Sequence, residues 1–191
     1  MTLGSWEGWD PPEGTQGWSD WHWWKIPTGK VLQLVVLSRK PLGYSGHFHR
    51  GRMCPCYGEG CQLCREGIGA QLRYVVGAAD LFTRRVGMWD MGRSVGLELR
   101  ELAVDRDSVR GLMVAAGHYS RARQSRTEIE RLDGDPPGWI RELESPDICR
   151  ALVETWRKAG FEIPDGMQAA EQRSIGKNRV SSKVRDSLQG P

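Results

Sequence analysis

Residues 44–65 read YSGHFHRGRMCPCYGEGCQLCR, and the fold turns on how this stretch is read. It holds two histidines, His47 and His49, and four of the chain's five cysteines, Cys54, Cys56, Cys61 and Cys64. A tetrahedral metal site needs four nitrogen or sulfur ligands, commonly delivered by short turns in which Cys-x-x-Cys spacing aims two sulfurs at one ion. Cys61 and Cys64 make one such turn. The other half is overfull, because Cys54 and Cys56 flank Pro55 while His47 and His49 lie just upstream, on one side of an extended strand. More candidates are present than a four-coordinate ion can use.

Two ligand sets follow. Either Cys54, Cys56, Cys61 and Cys64 form an all-thiolate site, or a histidine from the incoming strand replaces one of the Cys54/Cys56 pair, since two sulfurs one residue apart are hard to aim at one ion. The second set is preferred, with His49 ahead and His47 as its substitute. The expected cofactor is one structural Zn2+, closing a loop with too little apolar material to fold alone. Gly58 and Gly60 suit a sharp bend around an ion because they tolerate positive φ. The competing reading is a loop of reduced, unligated thiols, but cysteine clusters at this spacing in reducing compartments are usually metal sites.

Upstream of the loop, Lys30–Arg39 (KVLQLVVLSR) is bounded by Pro27–Gly29 and Pro41–Gly43 and reads as a central strand, because its apolar run is continuous. Leu42–Gly46 reads as a turn. Downstream, Gln71–Ala79 reads as a strand with Arg73 and Val75 on one face and Tyr74 and Val76 on the other. Val86–Met91 reads as another. Val95, Leu99 and Leu102 fall at helical spacing, so a short amphipathic helix is expected over 94–104. Val109–Ala116 and Thr127–Leu132 read as a closing pair of strands joined by GHYSRARQSR, residues 117–126, which carries three arginines and no acid. A basic hairpin of this kind suits a phosphate backbone, and a solvated loop is the equal alternative.

After the punctuation at 134–138 a helix is expected to Ala159, with Ser145 as its cap, Pro146 at the first helical position and Gly160 as its stop. Cys149 falls on its apolar stripe and reads as core. The organisation expected is a Trp-rich arm at 1–25, a nucleic-acid-binding domain at 26–135 containing the zinc loop 44–66, a helical segment at 136–164, and a disordered polar tail at 165–191. The arm holds six of nine tryptophans, at positions 6, 9, 18, 21, 23 and 24. Each buries roughly 200 Å², so the arm must dock, either on the chain's own sheet or a protein partner, or on bases. Glu7, Asp10, Glu13 and Asp20 disfavour DNA as its target.

The net charge of +3 is small, but residues 41–93 hold seven arginines against four acids, and a groove needs only a local basic stripe. No apolar run approaches the ~18 residues of a membrane span. Clustered cysteines and no signal peptide point to a reducing compartment, so the expected location is the cytoplasm of a bacterial or phage-infected cell. No catalytic signature is found, and an enzyme is not expected.

Early strands, a small helix between the later strands and a closing hairpin describe a mainly β fold with α, a five-stranded OB-type barrel with an inserted zinc loop and a C-terminal helix. A metal loop of one His and three Cys, ending in CxxC and followed directly by an RYVV strand, resembles the zinc-containing single-stranded DNA-binding proteins of T4-like bacteriophages. The resemblance covers about residues 30–132 and implies a structural zinc and a DNA-facing strand carrying Arg73 and Tyr74. The spare cysteine, the Trp-rich amino terminus and a tail without acidic character depart from that family. The function expected is binding of single-stranded nucleic acid, DNA favoured and with little sequence preference, in replication, recombination or mobile-element processes. Arg50, Arg52, Arg73, Arg84, Arg85, Arg121 and Arg123 are the candidates for phosphates. Tyr74 and Tyr119, with Tyr44, Phe48 and Trp89, are those for stacking. The rival is a zinc-ribbon adaptor that docks on a larger assembly.

Overall fold

The structure, a computed structural model, describes residues 22–103, 108–121, 124–164 and 167. Its elements in chain order are β1 (Val31–Val36), β2 (Leu42–His49), β3 (Arg52–Pro55), α1 (Gln62–Arg65), β4 (Gln71–Asp80), β5 (Val86–Gly92), α2 (Arg93–Glu101), β6 (Met113–Arg121), β7 (Gln124–Arg131), a 3-10 turn (Gly138–Glu142) and α3 (Ile148–Lys158). The fold is mainly β with few helices. It divides into two compact units, each assembled from segments distant in sequence. Of the described residues, the first takes in those within 22–41 and 73–146, the second those within 42–72, 147–164 and 167.

In the first unit the antiparallel order is β5-β4-β1-β6-β7. The continuous apolar run of β1 follows from its central place, because both of its faces are covered. Leu34 and Val36 join Val76, Ala78, Trp89 and Met91 beneath Val95 and Leu99 of α2. Val35 and Leu37 face the other way, onto Ala79, Met113 and Ile140 of the 3-10 turn. Each Val, Leu, Ile or Met among them contributes about 1.5–3 kcal/mol when fully buried. Helix α2 packs against β5 and β7, the two ends of the strand order, so the sheet curls around it as a half-barrel. Among the described residues β5 and β7 do not pair; the helix lies between them.

Gly77 and Gly96 are among the positions in this unit where a close approach requires glycine. A Cβ on Gly77 would stand 2.4 Å from Pro146 Cδ, and one on Gly96 would stand 2.2 Å from Tyr74 Cδ2. The turn from β4 to β5 is held by the buried Asp80 carboxylate, which accepts from the Phe82 and Thr83 amides and the Thr83 hydroxyl. Trp24 docks on the sheet, donating its indole N–H to the Ala78 carbonyl and meeting His22 edge-on. Trp23 forms a bridge with Met88. This end of the Trp-rich arm therefore covers the chain's own sheet. Its other tryptophans lie outside the described residues, as does the tail from 168 onward.

In the second unit β2 and β3 form a hairpin, with His47 opposite Cys54 and His49 opposite Arg52. Residues 42–46 belong to β2 and are not the turn expected from Pro41 and Gly43; Leu42 and Tyr44 are buried, which gives that segment an apolar side. The hairpin turn is Arg50–Gly51, with φ of 49° and 77°. Two consecutive positive φ values are the mark of a type I′ turn, whose twist matches the strands it joins. Helix α3 buries Ile148, Cys149, Ala151, Leu152, Val153 and Trp156, and Trp156 meets Tyr44 at 5.3 Å, edge to face. Its cap is Asp147, which accepts the Arg150 amide, and not Ser145. The Ser145 hydroxyl is engaged in the first unit with Ser38 at 3.1 Å. As expected, Gly160 follows the helix with a positive φ.

Candidate metal centre

The stretch 54–65 turns back on itself because two glycines allow it. Gly58 and Gly60 take φ of 74° and 86°, and the Cys61 amide returns to the Gly58 carbonyl at 3.2 Å. Cys61 then precedes the single turn α1, which carries Cys64 three residues on. The chain leaves β3 through Cys56, whose amide is held by the Ser45 carbonyl at 3.0 Å. These constraints bring His47, Cys56, Cys61 and Cys64 together, all four ligand atoms within 4.8 Å of one another.

The distances fit a tetrahedral ion. Bonds of about 2.3 Å to sulfur and about 2.0–2.1 Å to nitrogen place tetrahedral neighbours about 3.8 Å apart for S···S and about 3.5 Å for S···N. Cys56 Sγ and Cys64 Sγ are 3.7 Å apart, and His47 Nε2 lies 3.3 Å from Cys61 Sγ and 3.5 Å from Cys64 Sγ. No disulfide is formed. His47 is fully buried, and its Nδ1 has no hydrogen-bond partner among the described residues. His47 Nε2 is the nitrogen that faces Cys61 and Cys64, and it is the one placed to bind an ion. The cluster can hold one metal ion.

The thiols are electrically uneven. Burial acts to raise Cys61, but the Tyr57 and Cys64 amides, the His47 ring and the Leu63 amide together outweigh it and bring the group down to about 6. Cys64 is pushed up to about 11, mainly by its hydrogen bond with Cys56, then by burial and by the charges of Cys56 and Cys61. Crowded thiolates repel one another, and a dication at their centre removes that repulsion.

The ligand expected first, His49, is not in the cluster. It pairs with Arg52 beside the hairpin turn, two residues beyond His47 and therefore about 6.8 Å further along the strand. Cys54 is also left out. Its sulfur turns to the Arg52 carbonyl at 3.9 Å, and burial raises its pKa against the pull of Arg52. Tyr57 ties the loop to the segment after α3, donating its hydroxyl to the Glu162 carbonyl at 2.6 Å.

The residues expected to meet nucleic acid fall into distinct settings. Phe48, 60% exposed, shares the β2–β3 hairpin with the exposed Arg50 and Arg52. Tyr119 is 45% exposed, its ring lying along the strand over Gly117. Arg84 sits over the Trp139 ring at 5.6 Å, and Arg85 beside it is exposed. Arg73 is turned onto Asp90 at 3.0 Å. Tyr74 is half-buried against Gly96. Tyr44 and Trp89 are core, so neither offers a face for stacking. The Arg121 side chain and Arg123 lie outside the described residues. Sequence reasoning missed Phe82, 77% exposed at the Asp80-braced turn; an aromatic followed closely by Arg84 and Arg85 was the available signal. No helix among the described residues is long and apolar enough to cross a membrane.

Comparisons with known proteins find no match: no family model matches the chain, and neither a curated protein nor a solved structure does.

Proposed function

We propose that this chain is a zinc-stabilised single-stranded nucleic-acid-binding protein with little sequence preference, DNA being the favoured strand, and that it serves replication, recombination or mobile-element processes. The observation that carries the reading is the β2–β3 hairpin. It is rooted at His47 in a cluster suited to zinc, and its outer part carries exposed Phe48 with Arg50 and Arg52. An aromatic face for a base and cations for phosphates, fixed on one rigid element, are what single-strand binding needs. Three thiols and an imidazole favour zinc over hard cations. The half-barrel supports an OB-type domain, and the metal loop's resemblance to the phage single-strand binders points the same way. In this reading the ion is structural, because all four positions are taken by protein ligands and none is open for a substrate.

A second reading, a zinc-ribbon adaptor docking on a larger assembly, is favoured by Phe82. An aromatic 77% exposed on a braced turn is also an anchor for a protein partner. Anisotropy titration of the zinc-loaded protein with labelled single and double strands at two salt concentrations separates the two. Single-strand binding that weakens steeply with salt supports the first reading. Absence of strand binding at low salt removes it and leaves the adaptor.

A further inference from the structure

One cavity of the first unit is used by neither the metal centre nor the hairpin. It measures about 670 Å³ and opens beside α2, between the end of β1 and the segment that leads into β6. That volume falls within the range of about 300–1,000 Å³ usual for small-molecule sites. Three cations line it, Arg39, Lys40 and Arg100, against one carboxylate, Glu101. Among the described residues none of the three cations is engaged in an ion pair. Among the described lining residues, cations therefore outnumber carboxylates three to one.

Its wall is rigid. The Tyr74 side chain packs closely against Gly96 of α2, where a Cβ would collide with it. A glycine inside a helix costs about 1 kcal/mol relative to alanine, and here it makes room for that ring. The Arg39 carbonyl accepts the Val109 amide at 3.0 Å, fixing the opposite side. The result is an aromatic side chain beside guanidinium and ammonium groups, with Ser108 also in the lining.

We propose that this cavity binds one nucleotide unit, its phosphate held by Arg39, Lys40 and Arg100 and its base or sugar lying against Tyr74. Arginine grips phosphate through paired N–H donors, and an aromatic face accepts any base. The unit can come from a nucleic-acid strand or from a free mononucleotide; the first source rests on the single-strand reading above, the second does not. The sequence hides the site because Arg39 and Lys40, Tyr74, and Arg100 belong to three separate stretches.

The test uses the zinc-loaded full chain and its Arg39→Gln/Arg100→Gln variant, both side chains being exposed so that folding is spared. Binding of a labelled single-stranded oligonucleotide is read by anisotropy, and that of dAMP and inorganic phosphate by calorimetry. Loss of two charge-assisted contacts is expected to weaken the bound species by about tenfold or more, with zinc content and melting unchanged. Weakened strand binding with no dAMP binding assigns the cavity to a strand. Weakened dAMP binding, in a wild-type protein that ignores strands, assigns it to free nucleotides and removes the single-strand reading. If the wild type binds strands and the variant binds them equally well, the cavity proposal is overturned while the single-strand reading stands. Binding of none of the three probes by the wild type overturns both.

Discussion

His47 and Cys54 stand directly opposite each other across the β2–β3 ladder, yet only His47 reaches the thiol cluster. The cluster's member on the β3 side is instead Cys56, just past the strand's end, where the chain has left the ladder and can bend toward Cys61 and Cys64. It follows that His47→Ala and Cys56→Ser abolish stoichiometric zinc, whereas His49→Ala and Cys54→Ser retain it. Elemental analysis of the four purified variants checks this. Zinc kept by Cys56→Ser and lost by Cys54→Ser would reverse the assignment.

Zinc affinity is expected to rise with pH. Cys61, at about 6, is already a thiolate in neutral solution, whereas Cys64, at about 11, is still protonated and must lose its proton to bind. Each thiol proton displaced on binding contributes about tenfold per pH unit to the apparent affinity, so with Cys64 the increase between pH 7 and 9 is at least about tenfold per unit. Chelator competition at three pH values measures the slope. A flat profile would show that Cys64 is not a thiolate ligand.

Gly96→Ala is expected to destabilise the protein although alanine is the better helix former by about 1 kcal/mol. The added methyl would stand 2.2 Å from the Tyr74 ring, and overpacking of this kind costs about 1–3 kcal/mol. Denaturant unfolding of wild type and variant gives the sign, and a more stable variant would show that the ring moves freely.

Arg50 occupies the left-handed region at φ 49°, which costs a residue with a Cβ about 1–2 kcal/mol and which asparagine tolerates better. Arg50→Asn is therefore expected to raise stability while weakening binding of single strands. Unfolding and anisotropy measurements on one preparation test both halves. A variant with unchanged stability removes the strain argument, and one with unchanged binding removes Arg50 from the interface.

Local patterns made much of this fold legible. The apolar run of β1, the period of α2, and the stripe of α3 with Cys149 at its centre each sit in one stretch and report burial directly. The metal cluster was visible as a surplus of ligands, but choosing among them needed the hairpin register. His47 and His49 differ by one step along a strand, and only the position of the Arg50–Gly51 turn decides which lies near the hairpin's root. Residues 42–46 were misread because Pro41 and Gly43 look like a turn locally, while the burial of Tyr44 against Trp156 comes from residues a hundred positions away. The same distance in sequence conceals Arg39, Tyr74 and Arg100 as neighbours of one cavity. The division into two interleaved units could not be read either, since neither is continuous in the chain.

The central claim is that one zinc ion, held by His47, Cys56, Cys61 and Cys64, roots the hairpin from which the proposed binding surface projects. X-ray absorption at the zinc edge of the purified protein tests it most directly. The expected spectrum is four-coordinate, with three sulfurs at about 2.3 Å and one nitrogen at about 2.0–2.1 Å; it is unchanged in His49→Ala, whereas His47→Ala loses the stoichiometric zinc signal. A four-sulfur shell, or a shell of oxygens and nitrogens without sulfur, would contradict the account.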